Sequence, residues 1–389
     1  MDFDFSDEEK DFRATVRRWV QDKYPKTKVN LMERQEDHDG TNFPREFVAD
    51  LADAGFLGIG IDEEYGGQGG GATIQSILMD EMARHLAGLT WVWGISSFNA
   101  KSIQKFAKPE LREELLPQMV AGEKLVAISV TEPEGGTDLL GAMVTRAVPT
   151  DGGFVINGAK IWCTMAHVSD YLLLLAKTSD SEKSSYGKTL FLVPTDQEGV
   201  TSTPIPKLGM RCVASCEVQL QDAFVPDTHV IGEVDSGWNH LLTTLNNERI
   251  LVAALGTGVL RGVLEDAIAY AKERRAFKKP IGDFQIIQHW IAEIVMKLAQ
   301  AELLTYKAAW LYDNGHDAGV ESSMAKAIAS EYACWAADRG IQILGGMGYS
   351  AEFDMQRYWR DARLYQIGPV TNEMVRNIIA QSVGLNRSY

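Results

Sequence analysis

Cysteine is scarce: four residues in 389, at 163, 212, 216 and 334, with no CxxC pair. That excludes a disulfide framework or a zinc knuckle. Cys212 and Cys216 are spaced to share one face of a strand, but no third ligand accompanies them, so no metal site is expected. The seven histidines are scattered and form no HExxH. No run of 18 apolar residues occurs, which rules out a spanning helix. The acidic start Met1-Asp2-Phe3-Asp4 is unlike a secretory or organelle signal, and together with unpaired cysteines it points to a cytoplasmic compartment. Positive charge is also in deficit, 38 Lys and Arg against 53 Asp and Glu, a formal net charge of −15. Nucleic acid and anionic membrane are therefore excluded as main partners, while a local basic pocket for a phosphorylated ligand stays open. No internal repeat or low-complexity segment appears. The GGQGGG run at 66–71 is not GxGxxG and has no strand–turn–helix frame, so it reads as a flexible loop.

What is present is an ordinary globular composition, 45% hydrophobic and 23% charged, long enough for two or three domains. Residues 1–125 read as helical. Ser6 with Glu9 forms a capping box ahead of Phe12, Val16, Trp19 and Val20 at helical spacing. Pro44 opens a helix through Phe47, Leu51 and Ala54 that Gly55 stops, and another runs from Ala72 to about His85. Trp91-Val92-Trp93 is either core or pocket lining. Residues 126–240 change to short apolar runs separated by Gly, Pro and Asp turns, which predicts a β-sandwich or barrel. Residues 241–389 return to helix. The class is α+β with segregated parts, since strands and helices do not alternate.

One stretch, 244–285, organises the C-terminal part. Leu260, Val263, Leu264, Ala267, Ile268 and Ala271 lie on one helical face. The predicted helix starts near Asn246 or Asn247, which places Glu248 in its first turn and Arg274-Arg275 in its last, before the KKPIG turn at 278–282. Ile291, Ile294, Val295 and Leu298 begin a second helix, and a third runs from about Ser322 through Leu344 to Gly345.

Four segments in order resemble the acyl-CoA dehydrogenase family: VTEPEGGTD at 130–138, NGAKIWCT at 157–164, RRAF at 274–277 with Phe284-Gln285, and QILGGMGY at 342–349 followed by Arg360-Asp361-Ala362-Arg363. The resemblance covers nearly the whole chain. It implies an N-terminal helical domain, a middle β domain and a C-terminal four-helix bundle, with FAD as cofactor, an acyl-CoA substrate, an electron-transfer flavoprotein as acceptor, and a homotetramer. By the same resemblance Val130, Thr131, Trp162 and Thr164 surround the isoalloxazine ring. There an aromatic wall excludes water and donors stabilise the charge that hydride brings. Thr137 matches a position beside pyrophosphate or substrate. Arg274, Phe277 and Gln285 match residues lent to the FAD of a neighbouring subunit. Gln342, Gly345 and Gly346 match the segment along its adenosine end, and Thr371 and Glu373 match further cofactor positions. Taken singly, Trp162 also reads as a core tryptophan, Thr137 as a turn residue and the glycines as a helix C-cap. Lys278 stands where the family has a glycine.

The family's reaction takes the α-proton of an acyl thioester with a carboxylate while the β-hydrogen leaves to flavin N5. Most members carry that glutamate late in the chain, where this sequence has Pro369. A minority resembling isovaleryl-CoA dehydrogenase carry it on the helix after the β domain, and Glu248, followed by Arg249, matches that place. Gly368 matches the small residue that accompanies the change, and Leu245, Arg249, Gly368 and Thr137 are the implied substrate contacts. The other reading of Glu248 is a first-turn glutamate serving the helix dipole. Pro369 also lacks the N–H with which the family binds the thioester carbonyl. The neighbouring Val370 N–H, a shifted substrate, or altered chemistry each answers that loss. Trp91, Trp93, Phe98 and Leu245 are candidate floor residues for a short, branched or cyclic acyl group.

Overall fold

Ser6 Oγ accepts the Glu9 N–H at 3.1 Å and Glu9 Oε2 accepts the Ser6 N–H at 2.7 Å, so the capping box opens α1 (Asp7–Lys23) as predicted. The computed structural model describes residues 4–34 and 43–386; Met1-Asp2-Phe3 of the acidic start lie outside them. Helices α2 (Lys26–Arg34), α3 (Arg45–Asp53), α4 (Ala72–Leu86), α5 (Trp91–Phe106) and α6 (Pro109–Val120) follow. Gly55, at φ +73°, stops the chain after α3 in the left-handed conformation that glycine adopts without a Cβ clash. The GGQGGG run is not a free loop. Gln68 and Gly69 donate to the carbonyls of Gly58 and Ile61 at 2.9 and 2.8 Å, pinning the run to the segment after α3. Trp91 and Trp93 begin α5 as core residues, and the Trp93 indole N–H donates to the Phe56 carbonyl at 2.8 Å. Trp93 and Phe98 are both buried in that core.

The middle of the chain forms one eight-stranded sheet: β1 (Val126–Ser129), β2 (Arg146–Thr150), β3 (Gly153–Thr164), β4 (Tyr171–Lys177), β5 (Lys188–Pro194), β6 (Val200–Pro204), β7 (Ser215–Pro226) and β8 (Val230–Ile231). Its order is β6-β7-β3-β2-β4-β5-β8, with β1 parallel to β4. The Leu172–Leu175 run is apolar throughout because both faces of β4 are covered. Leu172 and Leu174 enter the core of the sheet itself, while Leu173 and Leu175 pack with Ile103 of α5 and Leu115 and Leu116 of α6. Cys216 lies on β7 but Cys212 precedes it in a turn, so the two do not share a strand face.

The sheet leads into α7 (Gly237–Glu273), then the short β9 (Arg275–Ala276) and β10 (Lys279–Pro280) hairpin, α8 (Gln285–Asp313), α9 (Gly319–Leu344), α10 (Gly346–Tyr349), α11 (Met355–Ala362) and α12 (Asn372–Ser382). Helices α7, α8 and α9 pack on one another, with α12 against α9 and α4 against α7. Helix α7 is buried on most of its circumference, so its apolar pattern is broader than one stripe. A Cβ on Gly258 or Gly262 would lie 2.2 or 2.3 Å from the carbonyl oxygen of Asp80 or Arg84, so glycine at both places lets α4 and α7 close together. The predicted start of α7 at Asn246 or Asn247 is corrected to Gly237. Asn247 donates to Gln75 Oε1 at 3.2 Å and Asn246 accepts from Arg249, so both side chains serve the helix interior rather than a cap. Arg274 and Arg275 follow the helix instead of closing it. None of the described helices is long and apolar enough to cross a membrane.

Candidate active site

Because α7 begins about three turns earlier than its local sequence suggests, Glu248 is an interior residue and not a first-turn dipole partner. It is 8% exposed. Burial pushes its carboxyl up to about 7, against opposing pulls from Arg249 and Lys326 and with no hydrogen bond from the described residues to hold the charge. Arg249 Nη1 donates to Asn246 Oδ1 at 2.9 Å while its Nε, also buried, has no partner among the described residues. Lys326, fully buried on α9, donates to the Val370 carbonyl at 2.6 Å and to Asn372 Oδ1 at 2.8 Å. Burial pushes its amine down to about 8, opposed chiefly by Glu373 and Glu331. This lysine therefore ties the late loop that contains Gly368 and Pro369 to the surroundings of Glu248 and Arg249. The space beside Gly368 is open: nothing lies within 4 Å of where its Cβ would be. Leu245, one turn before Arg249, is half-buried. Thr371 caps α12, its Oγ1 accepting the Met374 N–H at 3.2 Å, and Glu373 is an exposed first-turn residue whose carboxyl is lowered by hydrogen bonds from its own backbone and Thr371.

A second group assembles on the sheet. The Thr131 carbonyl accepts the Ile161 N–H at 2.9 Å and the Val130 carbonyl accepts Lys160 Nζ at 3.1 Å, so 130–131 runs directly beside 160–161. A register break between Lys160 and Cys163 turns Trp162 outward at φ +62°, leaving its indole 55% exposed. That rules out the core reading of Trp162: a strained bulge presents a flat aromatic face to solvent. Thr164 is buried opposite Ser215, their hydroxyl oxygens 3.5 Å apart, and Thr137 is exposed on the loop that leaves Glu132. Glu132 and Lys160 lie inside two of the family-like segments, yet no sequence signal joins them: 28 residues of separation leave no local periodicity to read. Lys326 and Asn372, 46 residues apart, escape sequence reasoning for the same reason.

The remaining predicted residues sit apart from both groups within this chain. Arg274 and Gln285 are exposed at the ends of α7 and α8. Phe277, 90% exposed, tips the hairpin between them, with Phe284 edge-on at 6.1 Å. Lys278 adopts φ +71°, so the turn keeps the left-handed geometry usual for glycine despite the side chain. Gln342 is exposed near the end of α9, and beside Gly345 and Gly346 no atom of the described residues beyond the adjoining backbone lies within 4 Å of a Cβ position. An exposed indole, an outward phenyl and arginine, and open backbone at paired glycines suit a long ligand with flat rings and a charged middle. A concavity of about 410 Å³ lined by Tyr24, Lys28, Phe43 and Cys212 contains none of these residues. Among the described residues no cluster of His, Cys, Asp and Glu could hold a metal ion.

The sequence matches the acyl-CoA dehydrogenase N-terminal domain over residues 6–123, the middle domain over 127–223 and the C-terminal domain over 235–384. It is 35% identical over 386 residues to benzylmalonyl-CoA dehydrogenase of Aromatoleum aromaticum, covering 98% of this chain and 100% of that one. It is 36% identical to the CarC subunit of the caffeyl-CoA reductase–Etf complex of Acetobacterium woodii, covering 89% and 91% of the two chains. The structure of the FAD complex of PigA superposes with a TM-score of 0.91 at 28% identity, covering 99% of this chain and 100% of that one. The chain belongs to the acyl-CoA dehydrogenase family and is an FAD-dependent oxidoreductase of acyl-CoA thioesters.

Proposed function

We propose that Glu248 is the general base that takes the α-proton of a bound acyl-CoA, or in the reverse direction the acid of enoyl-CoA reduction, with electrons exchanged with an electron-transfer flavoprotein. The observation that carries this reading is a buried carboxyl held near 7 whose charged neighbour Lys326 binds the late loop, where Pro369 stands at the usual base position. A base of that pKa is half-ionised at neutral pH and strong enough to accept a proton from an acidified α-carbon. FAD, when bound, supplies the hydride acceptor. Val130, Thr131, Trp162 and Thr164 wall its ring, and Gln342, Gly345 and Gly346 admit its adenosine end. Arg274, Phe277 and Gln285 reach a neighbouring subunit of a homotetramer, which accounts for a phenylalanine 90% exposed on the isolated chain. Thr371 and Glu373 complete the late side of the cofactor site, and Leu245, Arg249, Gly368 and Thr137 contact substrate. The Etf named in the A. woodii complex supports the electron acceptor. The same reading takes the enzyme as cytoplasmic, in keeping with its free cysteines.

Pro369 favours a second reading. One thioester donor is missing from the backbone, and a lost oxyanion donor costs roughly 10²–10³ in rate. A same-fold lyase or a non-catalytic acyl-CoA-binding subunit has less need of that donor, while an oxidase keeps the same step and differs in passing its electrons to oxygen. The test is anaerobic mixing of the yellow holoenzyme with a panel of acyl-CoAs. Bleaching by one of them, lost in Glu248→Gln, supports the first reading; full bleaching in Glu248→Gln refutes Glu248 as base. Bleaching by none favours a lyase or a non-catalytic subunit, and oxygen consumption by the bleached enzyme favours an oxidase.

A further inference from the structure

Beneath the 130–131 loop lies an ion pair that the proton transfer does not use. Lys160 and Glu132 side chains are 0% and 2% exposed and meet at 2.8 Å. Glu132 also accepts the N–H groups of Val144 at 2.7 Å and Thr145 at 3.0 Å. Burial acting alone would raise its carboxyl, but Lys160 and these donors hold it below the usual range. The lysine reaches further than its carboxylate. Nζ also donates to the Val130 carbonyl at 3.1 Å, while the Ile161 N–H takes the Thr131 carbonyl at 2.9 Å. The peptides flanking Thr131 are trans, so a carbonyl fixed on one side sends its N–H to the other. The Thr131 N–H therefore points away from Lys160, at a residue that is partly open to solvent.

We propose that Lys160, held by Glu132, is a positioning residue that aims the Thr131 backbone N–H at the flavin ring and so raises its reduction potential. The inference rests on the reading of 130–131 as ring-facing. Reduction adds negative charge to the ring, and a fixed donor stabilises that charge without reorganising. The pair is neutral as a unit, so deleting both members changes the donor's aim more than the local charge.

The experiment is equilibration of the holoenzyme's flavin against a reference dye, read by visible absorbance. Lys160→Met with Glu132→Leu removes both buried charges together, which folded proteins tolerate far better than an orphaned one. The expected result is a reduced-to-oxidised ratio about tenfold lower at fixed dye potential, ~30 mV for a two-electron couple. A folded double variant with unchanged ratio overturns the proposal and leaves the pair a structural clamp. Should that variant not fold, Lys160→Met with Glu132→Gln keeps an acceptor for Val144 and Thr145; it is expected to shift in the same direction, and no shift overturns the proposal equally. Trp162→Ala separates the two levels. If it alters the flavin spectrum while the double variants do not, only the aiming role fails. If it too leaves spectrum and potential unchanged, the ring-facing reading itself fails.

Discussion

Two buried glutamates, one in the sheet part and one in the helical part of the chain, have opposite fates. Glu132 in the sheet domain is surrounded by Lys160 and two backbone N–H groups, and its carboxyl is held low. Glu248 in the helical domain is buried comparably, but its nearest cations, Arg249 and Lys326, are engaged elsewhere by Asn246, Val370 and Asn372, and its carboxyl rises to about 7. Burial acts to raise the carboxyl in both; the partners decide whether the result is a clamp or a base.

The largest expected effect tests the reactive member. Glu248→Gln should slow anaerobic flavin reduction by roughly 10²–10⁴-fold, checked by stopped-flow absorbance. The same substitution should stabilise the protein in alkaline buffer. The folded pKa of Glu248 lies above the ordinary carboxylate value, so the folded state keeps a proton that the unfolded state has released. Its effect is therefore a loss of stability as pH rises from the ordinary carboxylate range through 7, on the order of 1–3 kcal/mol at most. Thermal melts of wild type and Glu248→Gln should diverge above pH 7 and converge near pH 4.

Next comes the clamp. Lys160→Met alone orphans a buried carboxylate and should cost about 3–5 kcal/mol in denaturant unfolding. Glu132 contributes in the opposite pH sense: its folded pKa is lowered, so its stabilisation is present above the ordinary carboxylate pKa and disappears as pH falls. A mild loss in Lys160→Met, under about 1 kcal/mol, would erase the distinction between the two glutamates.

A smaller effect concerns the donor lost at Pro369. Pro369→Gly restores an N–H and should speed thioester enolisation by about tenfold or more, measured by α-proton exchange with solvent deuterium. An unchanged rate would show that another group already binds the carbonyl. The smallest effect concerns Lys326→Met, which deletes a cation that lowers the Glu248 pKa. The midpoint of the pH–rate profile should move upward from about 7, reducing the rate at pH 7 a few-fold. A downward shift would contradict the sign assigned to Lys326.

Much was legible from local pattern. The Ser6–Glu9 capping box, the stop at Gly55, the span of α4, and the Leu172–Leu175 strand depend on neighbours in sequence, and each appears where expected. The start of α7 was not legible. Asn246 and Asn247 look like caps, yet Gln75 on another helix takes one of them and Arg249 takes the other. The ordered glycine run at 66–71 and the buried Trp93 were likewise decided by partners outside their own stretch of chain.

By itself the amino-acid order determined the helix–sheet–helix layout and the family motifs, because periodicity, turns and capping act over a few residues. Tertiary structure alone decided which charges meet. Lys160 finds Glu132 across 28 residues and Lys326 reaches Val370 across 44, while Glu248 is buried with no hydrogen-bond partner among the described residues. The chemistry of a buried carboxyl depends on its enclosure, and enclosure is a property of packed elements rather than of any single stretch of chain.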